Sequence, residues 1–453
     1  MLVTITPITI TNYKDNIRSY AKPANSAPNQ KKKAKSLVKL LCPFSLVQLY
    51  TRKSTGTTLY SMASRTMTKG GLRRRLHGST QTQQPKRTTI HRYQRFAQKH
   101  TWTIPLALII AILALYAQNP TDSNILHPFL FLSYKQNDGK YGKGLWDLAF
   151  VSFYVIVLTF TREFAMQELL RPLAARIKSR GKQARFMEQA YTAIYFSILG
   201  PVGLYVMRQT PVWYFDTRAM YEDFPHRAHG GEFKAYYLFE AAYWAQQAFV
   251  MLLGMEKPRK DFRELVMHHV VTLALIALSY RFHFAYMGIA IYITHDISDF
   301  FLAVSKSLHY YAPDIMMPFY AASIISWVYL RHVLNLRVLY SILTEFHTVG
   351  PYELNWETQQ YKCWISKVIT FTLLASLQAL NLFWLYYLLR SAVKFLITGE
   401  KKDDRSEPDE SEVELEQSHL KANGVNGHAN GNGALNGKTK GPARASVKMN
   451  GSR

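Results

Sequence analysis

Long apolar runs separated by short polar segments dominate the chain between Trp102 and Ile397. A run must hold about 20 residues to cross about 30 Å of hydrocarbon at about 1.5 Å per residue. About eight candidate spans meet this need, beginning near Trp102, Leu145, Ala190, Phe233, Glu264, Met287, Asp314 and Lys367. The first is uniformly apolar, several others carry polar residues, and those from Ala190 and Phe233 are the least regular. The pattern predicts an all-α polytopic membrane protein, with a first span at 102–118 and a helical domain over 145–397.

Outside these runs the chain is strongly polar, so the mean hydropathy of −0.11 misdescribes the membrane part. Residues 1–101 carry twenty Lys or Arg against the single acid Asp15, which places most of the net charge of +25 in one tail. A basic tail before a span sets topology and attracts anionic lipid headgroups. No recognition fold accompanies the charge, so nucleic acid is not the expected partner. Residues 400–453 are acidic and then Gly- and Asn-rich, and both tails are expected to be disordered. Ser406 and Ser411, each followed three positions on by an acid, are candidate phosphorylation sites.

Positive charge also orients the spans. Arg171, Arg176, Lys178, Arg180, Lys182 and Arg185 cluster in one connection, and Lys257, Arg259, Lys260 and Arg263 in another. Lys and Arg resist translocation, so these connections and both tails are expected in the cytosol, consistent with an even number of passes. Cys42 and Cys363 are the only cysteines, which leaves no disulfide framework and no thiol metal site.

Ionisable groups inside spans are costly and point to function. The fifth span opens with His268 and His269 and continues through Thr272 and Ser279; the sixth carries His295, Asp296, Ser298 and Asp299 before Lys306. The two spans run in opposite directions. From the cytosolic end, His268 and His269 lie roughly 6 to 8 Å deep, Asp299 about 10 Å and His295 about 16 Å. Spacings of three and four residues allow His295, Asp296 and Asp299 to share one face. His268 and Thr272 share a face as well, while His269 points about 100° away.

Histidine beside a carboxylate can run acyl transfer to an amine. The imidazole either accepts the amine's proton or attacks a thioester first to give an acyl-imidazole, and a carboxylate, best placed as Asp299, would orient the ring. A site a few ångströms below the cytosolic surface lets a CoA headgroup stay in water near Lys257, Arg259 and Lys260 while its acyl chain lies among the helices. No cofactor is needed beyond acyl-CoA as co-substrate, and no metal.

Residues 268–306, HHVVTLALIALSYRFHFAYMGIAIYITHDISDFFLAVSK, resemble the Lag motif of TLC-domain ceramide synthases, in their fungal form. The likeness extends over roughly residues 100–400. It implies a TLC-domain bundle enclosing an acyl-chain cavity, residence in the endoplasmic reticulum, and N-acylation of dihydrosphingosine or phytosphingosine. By the same resemblance His268, His269, Asp296 and Asp299 are the catalytic set, with Thr272, Ser279, His295 and Ser298 as substrate-binding residues. A small accessory membrane subunit is an expected partner, a dimer is left open, and the connection over 339–366 is expected to tune chain length. His283 departs from the Asn of many animal members, and their homeobox-like domain is absent. Two other readings stand beside this one: an intramembrane zinc amidase that uses the same residues as ligands, and a non-enzymatic TLC protein that senses lipid or accompanies a translocon, which has no need for His268, His269 and Asp299 together.

Overall fold

The structure, a computed structural model, describes residues 100–256 and 259–398. Nearly all of both tails lies outside this range, as do Lys257, Ser406 and Ser411.

Helices account for the regular structure, and among the described residues only isolated β-bridges interrupt them. The longer ones are α1 (Thr103–Ala117), α2 (Asp147–Phe164), α3 (Arg180–Arg208), α4 (Gly231–Leu252) and α5 (Phe262–Arg281), then α6 (Ala285–Tyr311), α7 (Met316–Val328), α8 (Asn335–Thr344) and α9 (Trp364–Thr398). A π-helical turn, Ala165–Leu170, extends α2, and another, Tyr329–Leu334, joins α7 to α8.

Among the described residues, five helices are long and apolar enough to cross a membrane: α2 with its extension to Ala174, α3, α5, α6 and α9. They coincide with five of the eight expected spans, including the irregular one from Ala190. The other three fall short for local reasons. α1 has only 15 residues; α4 carries Lys234, Glu240, Gln246 and Gln247; and the π-turn divides the seventh run so that neither α7 nor α8 suffices alone.

The connections sort to two ends of the bundle. At one end, Tyr141 and His229 exchange backbone hydrogen bonds of 2.8 and 3.1 Å. Lys143 Nζ there donates to His226 O at 3.1 Å and lies 3.4 Å from His283 Nδ1, and Gln360 Nε2 donates to Phe224 O at 3.4 Å. The segments after α1, α3, α5 and α8 therefore meet. At the other end, Arg162 pairs with Glu256 at 2.5 Å, Arg176 donates to Tyr311 Oη at 2.7 Å, and Trp384 donates to Asp261 at 3.1 Å. His283 turns α5 into α6 with φ 68°; His and Asn are among the non-glycine residues most tolerant of that conformation, which accommodates the departure from the animal Asn.

α6 is the central helix, packed against α3, α5 and α7, and its small residues Ala285, Ala290 and Ser298 are fully buried. α5 is peripheral. Met267 and Val270 are 59% and 65% exposed, whereas His268 and His269 between them are 6% and 8% exposed. An apolar outward face with an inward polar pair suits a helix between lipid and an internal site.

Candidate active site

Beneath α5 lies a cavity of about 200 Å³ whose wall is mostly apolar, including Leu275, Ile276, Phe282, Met287 and Leu374. It follows α5 from His268 to Phe282, about 21 Å at about 1.5 Å per residue. His268, Thr272 and His295 stand toward one end, and Trp356 and Tyr361, from the connection after α8, close the other. Leu354, Cys363 and Ser366 of the 339–366 segment also line it.

Several residues of this wall carry buried polar atoms without protein partners. His268 Nδ1, Thr272 Oγ1 and Tyr292 Oη are buried without a hydrogen bond, as is Trp244 Nε1, and all four residues line the cavity. A buried polar atom without a partner costs about 1–3 kcal/mol, so four around one cavity fit a ligand with a polar group at this depth and an apolar tail beyond. The His268 ring is held by shape instead, edge-on between Trp244 at 5.6 Å and Trp384 at 5.2 Å.

His269 is turned away from the cavity. Its Nδ1 lies 2.9 Å from Leu265 O, four residues back on α5, and its ring packs against Trp244 at 6.1 Å. His295 lines the cavity and makes the same local bond, Nδ1 to Ile291 O at 2.8 Å. A carbonyl can only accept, so Nδ1 of His295 carries the proton, and Nε2 is the acceptor for Asn381 Nδ2 at 3.3 Å.

The two carboxylates diverge. Asp296, fully buried, accepts from Tyr236 Oη at 3.1 Å, while its Oδ1 has no partner. Gly203 permits that approach, since a Cβ there would sit 2.4 Å from Tyr236 Oη. Asp299 is ion-paired with Arg331 at 2.6 Å, and neither its carboxylate nor that of Asp296 lines the cavity. Ser298, fully buried, accepts from Arg331 Nε at 2.6 Å. Ser279 lines the cavity and bonds Tyr237 Oη at 2.6 Å; Gly288 makes room for that phenol, as a Cβ there would meet it at 2.2 Å.

Arg331 gathers these groups. Besides Asp299 and Ser298, it donates to His295 O at 3.2 Å and to Asn381 Oδ1 at 3.2 Å, and its guanidinium lies 3.9 Å over the Trp327 ring. At 2% exposure it is a buried cation held by four polar partners. Of the residues expected to meet CoA, Arg259 makes a two-point contact with Asp261 at 3.0 Å each, and Lys260 is exposed. Among the described residues no group of three or more His, Cys, Asp or Glu is placed to hold a metal ion.

Arg331, Asn381, Trp244 and Trp384 do not figure in the sequence reading. Arg331 had a signal, an arginine in an apolar run, by the same reasoning that selected His268. Asn381 and the tryptophans had none, because their importance lies in contacts from helices distant in the chain.

A profile for the TLC domain matches residues 185–390. A sphingosine N-acyltransferase-like protein of Gibberella moniliformis is 54% identical over 328 residues, 70% of this chain and 84% of that protein. A sphingosine N-acyltransferase of Schizosaccharomyces pombe is 45% identical over 332 residues, 72% and 86% of the two chains. A ceramide synthase of Saccharomyces cerevisiae is 47% identical over 337 residues, 73% and 82%. Relatives matched at this identity over most of their own length leave no ambiguity of family: the chain belongs to the TLC-domain family, in its branch of fungal sphingosine N-acyltransferases.

Proposed function

We propose that the protein is a ceramide synthase, transferring a fatty acyl group from acyl-CoA to the amine of dihydrosphingosine or phytosphingosine. The observation that carries this reading is His268, a buried imidazole whose Nδ1 has no hydrogen-bond partner, facing an apolar cavity long enough for an acyl chain. The names of its relatives support N-acyl transfer to a sphingoid base, and the resemblance of the Lag motif supplies acyl-CoA and the two bases.

Of the two routes open to histidine, the surroundings favour the covalent one. A nucleophile needs a nitrogen lone pair that no hydrogen bond ties up, and His268 Nδ1 has no such partner. As a nucleophile, His268 attacks the thioester carbonyl, the carbon–sulfur bond breaks, and CoA leaves as the thiol, taking the proton from the other ring nitrogen, so that a neutral acyl-imidazole remains. The sphingoid amine then attacks the acyl carbon and His268 is released. His269, bonded to its own helix, supports the packing of Trp244, which lines the cavity.

The two-ended arrangement of the connections supports eight passes with α1, α4 and the α7–α8 pair included, and an even number keeps both tails on one side. Basic connections between α2 and α3 and between α4 and α5 put that side in the cytosol. His268 lies near it, where a CoA headgroup can remain in water. The endoplasmic reticulum is the membrane this activity implies. A small accessory membrane subunit is the expected partner, with a second copy of the chain as a further one.

Assay of the purified protein with a panel of acyl-CoAs and both bases tests the reading. The expected result is an N-acylated product that resists chelators; turnover of ceramide without any acyl transfer would favour the amidase instead, and no turnover of either kind a non-enzymatic role.

A further inference from the structure

The cavity holds a second imidazole whose nitrogens, unlike those of His268, are assigned by their neighbours. His295 Nδ1 donates to Ile291 O, so its Nε2 lone pair is directed at Asn381 Nδ2 across 3.3 Å, a long contact. The Asn381 amide is not free to turn round, because its Oδ1 accepts from Arg331 Nη1 at 3.2 Å. Arg331 is itself fixed by Asp299, Ser298 and the His295 carbonyl. The chain of contacts determines one proton position: guanidinium orients amide, and amide selects the neutral tautomer of His295.

We propose that His295 accepts the sphingoid amine's proton in the second half of the reaction, and that Arg331 and Asn381 are positioning residues that keep its Nε2 unprotonated for the task. The inference rests on the covalent reading of the proposed function. In this step the amine nitrogen bonds the acyl carbon and the acyl–imidazole bond to His268 breaks. The amine proton passes to His295 Nε2 and then to the departing nitrogen of His268, so both rings end neutral. The weak contact with Asn381 is the one that a substrate amine can displace, whereas the 2.8 Å bond to Ile291 O holds the ring in place. Besides Arg331, the ionisable groups around His295 are His268 across the cavity, Asp299 and Asp296 on its own helix, and Glu240 behind Asp296.

The division of labour separates two measurable events. In the full-length purified protein, wild type mixed with acyl-CoA alone releases a burst of CoA, and added dihydrosphingosine gives steady turnover. Asn381→Asp replaces the amide by an acceptor that draws a proton onto Nε2. It is expected to keep the CoA burst and lower kcat with base by about 10²-fold, the scale of a misplaced reacting group. Its remaining activity is expected to have an acid limb at higher pH than wild type, since the new carboxylate favours the imidazolium. Arg331→Lys retains charge toward Asp299 but cannot hold Asn381 and Ser298 together, and is expected to show the same split, burst retained and kcat lowered. A variant that loses the burst and turnover equally, or Asn381→Asp with wild-type kcat and pH profile, overturns the inference. Wild type that acylates the base with no CoA burst also overturns it while leaving the acyltransferase reading intact.

Discussion

The indole of Trp384 donates to Asp261 Oδ2 at 3.1 Å, and the same ring stands edge-on to His268 at 5.2 Å. Asp261 belongs to the connection before α5 and is gripped by Arg259. The residue expected to meet the CoA phosphates is thus linked through two contacts to a wall of the imidazole proposed to react.

Trp384→Phe keeps an aromatic ring near His268 but removes the donor to Asp261. It is expected to cost about 1–2 kcal/mol of stability, because Asp261 retains Arg259, and to lower kcat modestly. Trp384→Ala removes the wall and is expected to lower kcat by at least about tenfold in addition. Thermal unfolding in detergent and steady-state assays check the pair; equal activity in the two variants would contradict the role of the ring.

Gly288→Ala places a methyl group where Tyr237 Oη now lies, at 2.2 Å. The phenol must move and its bond to Ser279 must break, so the expected loss of stability is about 1–3 kcal/mol. Tyr237 lines the cavity, so acyl-CoA KM should rise as well. Combining the change with Tyr237→Leu, which removes both the hydroxyl at 2.2 Å and the ring carbons at 2.9 Å, tests the cause: the double variant should recover part of the loss, and an undiminished loss would place the clash elsewhere.

Lys143 offers a pH signature at the end of the bundle remote from His268. Burial, with the nearby Lys234 charge, lowers its pKa to about 7 despite the opposing pull of Asp147. The unfolded chain holds this proton up to about pH 10. Between about pH 7 and about pH 10 the unfolded state therefore binds more protons, and stability rises with pH. Below about pH 7 both states are charged and the burial penalty is fully present. Lys143→Met is expected to flatten the rise in melting temperature across that window and to gain most against wild type near its acid end. Parallel pH profiles for the two proteins would contradict the shift.

The helical fold was legible because lipid imposes a simple rule: an uninterrupted apolar run of sufficient length becomes a helix. The rule gave α3, α5, α6 and α9 from sequence alone, and it weakened where polar residues are buried inside the bundle, as Lys234 and Glu240 are in α4. Periodicity put His268 and Thr272 on one face of α5 and His269 off it, and the structure has His268 and Thr272 lining the cavity. It also allowed His295, Asp296 and Asp299 a common face. The structure gives them three different partners, Asn381, Tyr236 and Arg331. The spacing of a helix says which residues are neighbours on it. Which helix comes to meet them depends on packing, and Arg331 reaches α6 from a segment interrupted by a π-turn.

The central claim is that His268, and not His269, is the reacting imidazole. Acyl transfer by purified His268→Ala and His269→Ala proteins, each shown to be monodisperse with a wild-type melting profile, tests it most directly. The account predicts a loss of at least about 10³-fold for His268→Ala and a smaller loss for His269→Ala, with acylated protein trapped from acyl-CoA in the second variant alone. Substantial transfer by a folded His268→Ala protein, or an acyl group found on His269, would contradict it.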